Sequence, residues 1–213
     1  MLVGKRMSRP PITIPPEMSI NEALSLFKKE RIRRAPIVRG NKLVGIVSEK
    51  DLLNASPSQA TTLSVWEMNY LLSKLTVAEV MTKDVITVTE DTPIEEAARI
   101  MADNKIGGLP VVKGLRVVGI ITETDLFKLF LELMGAREKG VRVTTLIKDQ
   151  PGMLAKITKA ITDAGGNFIA FGQFVGEDIN TRILTFKVNG VSQIEVKRIL
   201  VPFIERISDI REI

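Results

Sequence analysis

GIVSEKDLL (45–53) and GIITETDLF (119–127) are nearly the same nine residues written twice, 74 positions apart. Each holds a hydroxyl and an acid three residues apart. Shifting the chain by 74 aligns 3–53 with 77–127 without a gap and gives 17 identities in 51 positions. Met7 falls on Met81, Ile12 on Ile86, Ala23 on Ala97, Pro36 on Pro110 and Asp51 on Asp125. Ungapped register over that length marks an internal duplication, because unrelated apolar patterns drift through their loops. One supersecondary unit is used twice.

Each copy reads strand, helix, strand, strand, helix. ITIPPEMS (12–19) and ITVTEDTP (86–93) open with β-branched runs. Ser19 and Thr92 then stand as helix caps, with Glu22 and Glu95 three residues on, at capping-box spacing. Ile20, Ala23, Leu24 and Phe27, like Ile94, Ala97, Ala98 and Met101, recur at i, i+3, i+4, i+7, which predicts one buried helix face in each copy. APIV with KLVGIV, and LPVV with RVVGII, are apolar runs joined by RGN and KGL and predict hairpins. The quoted stretches end the last strand and cap the next helix.

Between the copies, a helix is predicted from Ser64, with Glu67 at its capping-box position and Val65, Trp66, Met68, Tyr70, Leu71 and Leu72 around most of its circumference. LFKLFLELMG (126–135) is apolar on most sides too, and it is too short to cross a bilayer. Both helices are expected to be buried between the copies or against a second subunit. GAREKG (135–140) is glycine-flanked and charged, as a domain boundary is. Beyond it the order is strand, helix, two strands, helix, strand, the split βαβ or ferredoxin-like arrangement.

Composition removes several chemistries. The 213 residues contain no Cys and no His, so thiolate nucleophiles, disulfides, and the commonest general base and zinc ligand are all missing. With no glycine-rich phosphate loop of Walker type either, an enzyme is the least favoured class and no metal site is expected. No apolar run reaches membrane-spanning or signal-peptide length, which gives a cytoplasmic expectation with no membrane partner. Net charge is +5, with aromatics at 5 %. The first copy carries 11 Lys/Arg against 5 Asp/Glu over 1–53, and the second 5 against 9 over 77–127. A nucleic-acid binder spreads cations over a broad face with aromatics among them, so this imbalance points instead to a local anion site.

The repeated motif has two readings. In the plain one, Ser48 with Asp51 and Thr122 with Asp125 are capping boxes. In the functional one, the hydroxyl and the NH groups of the helix start suit a phosphate, the carboxylate grips ribose hydroxyls, and Gly45 and Gly119 let a ligand approach the backbone. GIVSEKD and GIITETD, with the upstream APIV and LPVV, resemble the signature of CBS domains. That resemblance covers about 1–130 and implies an α/β (α+β) fold: two βαββα repeats paired about a pseudo-twofold axis, leaving two clefts. It also implies adenosine ligands (AMP, ADP, ATP or S-adenosylmethionine) bound as regulators rather than as required cofactors. By position, Ser48, Asp51, Thr122 and Asp125 take the ribose and phosphate, while Ile12, Pro36, Ile37, Ile86, Pro110 and Val111 line the base pockets.

DQPGMLAKI and AGGNF, over about 141–213, resemble an ACT domain, and this implies an amino-acid site at Asp149, Gly152 and Asn167. The plain reading makes Asp149 a helix cap, Gly152 a turn residue and Asn167 part of a helix stop. Two CBS copies followed by an ACT domain most resemble the acetoin-utilisation accessory type. The expected layout is 1–62 and 63–134 for the repeats, 135–140 for a linker and 141–213 for the ACT domain.

The repeats disagree chemically at one place. Arg33 and Arg34 stand where the second copy has Gly107 and Gly108. Guanidinium groups grip phosphate in a bidentate fork. Unless they are surface charges, one arginine-edged cleft should take the more phosphorylated ligand and a separate diglycine cleft the less charged one. Two functions remain: a ligand-sensing regulator signalling to a partner enzyme or regulator, and an oligomeric assembly module with vestigial sites. Both are expected to form at least a homodimer through their apolar helices.

Overall fold

The two hairpins form as the β-branched runs require, and they are superposable in register. A computed structural model describes residues 1–55, 70 and 74–213. In it β1 (Arg34–Arg39) pairs with β2 (Lys42–Ser48), and β3 (Gly108–Lys113) with β4 (Arg116–Thr122), both antiparallel. Each ladder slips at the same repeat position, Ile37/Val38 and Val111/Val112. Both turns use a glycine at positive φ, Gly40 and Gly114.

Helix α1 (Ile20–Glu30) carries the expected capping box: Glu22 N donates to Ser19 Oγ and Ser19 N to Glu22 Oε2. It buries Ile20, Ala23 and Phe27. The short helices α2 (Glu49–Asn54) and α3 (Val77–Val80) precede α4 (Ile94–Asn104), which buries Ile94, Ala97 and Met101. Thr92 is not the cap of α4. Pro93, the repeat mate of Ser19, holds that place without a side-chain bond, and the Thr92 hydroxyl instead accepts from Thr89 N at 3.0 Å.

The expected opening strands contract to single parallel bridges, Ile14 to Ile37 and Val88 to Val111. In the first copy Pro15 and Pro16 have no N–H to extend the ladder. In the second, Thr89 N is spent on Thr92.

The copies exchange their leading segments. Ser8 and Ile120 trade backbone bonds (2.9 and 3.2 Å), and their repeat mates Thr82 and Ile46 do the same (2.9 and 2.9 Å). Val3 N donates to Thr92 O and Val77 N to Met18 O, both at 2.9 Å. Each leader therefore lies on the other copy, and Val77 joins the core of Ile14, Phe27, Ile37 and Leu52. Gly45 faces Met81 and Gly119 faces Met7, so a Cβ on either glycine would overlap a methionine sulfur. The space expected to admit a ligand at these glycines is filled by the exchanged leader.

Met1–Leu126 and Phe127–Ile213 form two compact units. Helix α5 runs over Glu123–Leu133. In the second unit β5 (Val141–Lys148), β6 (Asn167–Val175), β7 (Thr181–Asn189) and β8 (Arg206–Glu212) form an antiparallel sheet in the order β6-β7-β5-β8. With α6 (Met153–Asp163) and α7 (Gln193–Leu200) this is the expected ferredoxin-like order. Val143, Leu184 and Phe186 pack there against Ile157, Ile161 and Val196. The buried Lys187 donates to the carbonyls of Gly135 (2.8 Å) and Glu138 (2.9 Å), anchoring the segment expected to be a linker.

Helix α5 departs from expectation. Leu129 is its buried residue, while Phe127, Phe130 and Leu133 are 69 %, 53 % and 59 % exposed. The expected helix over 64–75 lies mostly outside the described residues. No helix among those described is long and apolar enough to cross a membrane.

The exchange predicts a measurable coupling. A Cβ on Gly45 stands 3.0 Å from the Thr82 carbonyl as well as against Met81. Gly45→Ala should therefore cost about 1–3 kcal/mol in urea unfolding. Met81→Ala in the same chain should recover at least about 0.5 kcal/mol of the summed single losses. Strict additivity would show that the leader does not sit there.

Candidate functional site

At the end of β2 the chain turns into α2, and Ser48 closes a capping box with Asp51. Ser48 N and Ser48 Oγ both donate to Asp51 Oδ2, at 2.8 and 2.6 Å, and Asp51 N donates back to Ser48 Oγ at 3.3 Å. Thr122 repeats this toward Asp125 Oδ2, with 2.9 Å from its N and 2.7 Å from its hydroxyl. The plain reading of the motif is thus correct. It does not exhaust the acid, because a carboxylate offers about four lone-pair sites over two oxygens and both capping bonds fall on Oδ2.

The first motif opens onto a cleft of about 500 Å³ that both copies build. The first copy supplies Arg33, Arg34, Ser48 and Asp51; the second supplies Thr82, Asp84, Ile86, Lys105, Gly107 and Gly108. Of the residues expected at the site, the structure brings Arg33, Arg34, Ser48, Asp51 and Ile86 together here. Thr122 and Asp125 keep the acid's half of the box on the other copy. Ile12 is half-buried, Pro36 and Pro110 are buried, and Ile37 and Val111 are wholly inaccessible, so these last two back the hairpins and do not line a base pocket. Asp84 and Lys105 had no motif to announce them. They reach the cleft through the way the copies pack, and Lys105 does so from the left-handed cap of α4, with φ 53°.

The expected division into an arginine cleft and a diglycine cleft is overturned: Arg33, Arg34, Gly107 and Gly108 line the same cleft. Arg34 lies along the diglycine. A Cβ on Gly108 would stand 2.9 Å from Arg34 Cδ, and one on Gly107 would stand 2.5 Å from Arg34 Nη1 and 2.6 Å from Glu123 Oε2. Burial pushes the Arg34 guanidinium below its ordinary range; Glu123 opposes this, Arg33 adds to it and Asp51 opposes it.

In the second unit the three residues expected to hold an amino acid do not converge. Asp149 is not a helix cap but pairs with Arg182 at 2.8 Å, while Gly152 holds the cap position at φ 81°. Asn167 pairs with Asn189, eight positions along β7 from Thr181, the partner of Lys148. At about 3.4 Å per residue that sets Asn167 roughly 27 Å from the Asp149 end. A groove of about 580 Å³ reaches Asp149, Lys148, Glu177 and Arg206, but neither Gly152 nor Asn167. Among the described residues no group of three or more acids could hold a metal ion.

The CBS domain family model matches residues 3–58 and 77–132. The chain belongs to the CBS-domain family. This CBS pair is similar to that of protein MJ0100, solved in complex with 5′-methylthioadenosine and S-adenosyl-L-methionine (37 % identity, TM-score 0.52, 65 % of this chain and 98 % of that one). A candidate acetoin utilization protein from Vibrio cholerae is 36 % identical, with TM-score 0.53 over 64 % of this chain and 95 % of that one. CBSX2, solved in complex with AMP, is 28 % identical, with TM-score 0.53 over 62 % and 97 %. Among curated proteins, the L-aspartate semialdehyde sulfurtransferase of Methanocaldococcus jannaschii is 38 % identical over 131 residues, 61 % of this chain. The chain spans only 23 % of that enzyme's length.

The capping box in the CBS pair carries its own stability prediction. Ser48→Ala removes the acceptor for Asp51 N and should lower unfolding free energy by about 1 kcal/mol. An unchanged urea midpoint would mean the box does not form in solution.

Proposed function

We propose that the chain is a ligand-sensing regulator, not an enzyme, and that it binds an adenosine compound in the cleft between its CBS repeats. One observation carries this reading: Ser48 and Asp51, with their neighbours Arg33 and Arg34 and with Ile86 of the other copy, line one cleft of about 500 Å³. That volume lies in the range of small-molecule sites. The free lone pairs of Asp51 suit ribose hydroxyls, Ile86 offers an apolar wall for a base, and the arginines suit phosphate. Two similar CBS pairs were solved with adenosine compounds, which supports the ligand class. Thr122 and Asp125, with Ile12, are the matching groups for a second ligand.

The ferredoxin-like topology and the DQPGMLAKI turn support an ACT reading of 141–213, with 1–62 and 63–134 as the CBS repeats. Because Asp149, Gly152 and Asn167 do not meet within one chain, an amino-acid site there requires a second copy. The exposed Phe127, Phe130 and Leu133 favour that homodimer, and they also support the second reading, an assembly module whose clefts are vestigial.

A thermal-shift panel separates the two readings. A ligand present at about 100 times its Kd should add about 2.7 kcal/mol of stability. AMP, ATP or S-adenosylmethionine should raise the Tm, and Asp51→Ala should weaken that ligand about tenfold or more. A flat panel leaves the assembly module.

A further inference from the structure

The one chemical disagreement between the repeats becomes a device once the copies are packed. Gly107 and Gly108 lack the side chains their mates Arg33 and Arg34 possess, and the vacated surface seats the Arg34 side chain. Glu123 is fixed at the same spot, since its backbone N donates to Gly107 O at 3.1 Å and its Oε2 lies over the Gly107 Cα. Its repeat mate Glu49 donates likewise to Arg33 O at 2.8 Å, so the same backbone link there joins an acid to an arginine rather than a glycine. Arg34 is therefore a cleft cation that already feels the attraction of a carboxylate of its own chain.

Resting on the adenosine reading above, we propose that Glu123 competes with the ligand's anionic group for the Arg34 guanidinium, making Glu123 a built-in attenuator that lowers the cleft's preference for phosphorylated ligands. A guanidinium fork accepts one planar or tetrahedral oxyanion at a time in bidentate fashion. A phosphate in the cleft must outweigh the attraction that Glu123 exerts on Arg34. A neutral nucleoside has no group with which to do so, and it leaves the balance at Arg34 unchanged. The attraction of Glu123 for Arg34, larger than that of Asp51, agrees with this order of contacts. Glu123 is exposed, so its attraction for Arg34 is weak enough to be overcome.

Calorimetry with AMP and with adenosine, on the full chain, tests the competition. Glu123→Gln should bind AMP about two- to fivefold more tightly, since the competitor is removed, with adenosine affinity unchanged. Arg34→Gly should bind AMP about tenfold or more weakly, closing the gap to adenosine. If wild type binds neither compound, the competition is overturned, and the adenosine reading fails too if the panel with ATP and S-adenosylmethionine is flat. If it binds them but Glu123→Gln leaves the AMP-to-adenosine ratio unchanged or lowers it, the adenosine reading stands and the competition is overturned. Should Arg34→Gly not fold, Glu123→Gln alone decides.

Discussion

The exchange of leading segments is the constraint on which the first unit depends. Ser8 bonds to Ile120 and Thr82 to Ile46, each leader completing the hairpin of the other copy. Met7 and Met81 then fill the notches over Gly119 and Gly45. Neither repeat is closed by its own residues, so the pair forms together, and the cleft at Ser48 exists only because Thr82–Ile86 arrives from the other copy. Apolar burial drives this: Val3 and Val77, one from each leader, are both wholly inaccessible.

The candidate site is built on that closure. Asp51 and Asp125 each serve their caps through one oxygen, which leaves acceptor capacity on the other. The same residues hold the fold and, at Ser48 and Asp51, line the cleft. Polarity in the cleft is set by asymmetry rather than by the shared motif: the cations Arg33, Arg34, Lys50 and Lys105 meet the acids Glu49, Asp51 and Asp84. Duplication supplied the twofold frame, and divergence at 33/107 and 34/108 supplied a single cation on a glycine seat.

The repeat, both hairpins, the buried faces of α1 and α4 and the ferredoxin-like order were legible because period and spacing are local properties. The position of α4's cap was misread at Thr92, although the offset of 74 already set Pro93 opposite Ser19. Gly45 and Gly119 misled for a different reason: a glycine reports close approach but not what approaches, and here it is methionine. The cleft's membership was hidden in the same way. Ser48, Asp51 and Ile86 were readable from the motif and the repeat, whereas Asp84 and Lys105 join only through packing between copies. Ile37 and Val111 resemble pocket residues in sequence, but period-2 alternation cannot tell a lining side chain from one turned into the core.

Hydrogen exchange with and without AMP tests the central claim, that one adenosine ligand is held jointly by both repeats. The account predicts slowed exchange in 33–51 and in 82–108 together, at the same AMP concentration. Protection confined to one repeat, or appearing only within 141–213, would contradict it.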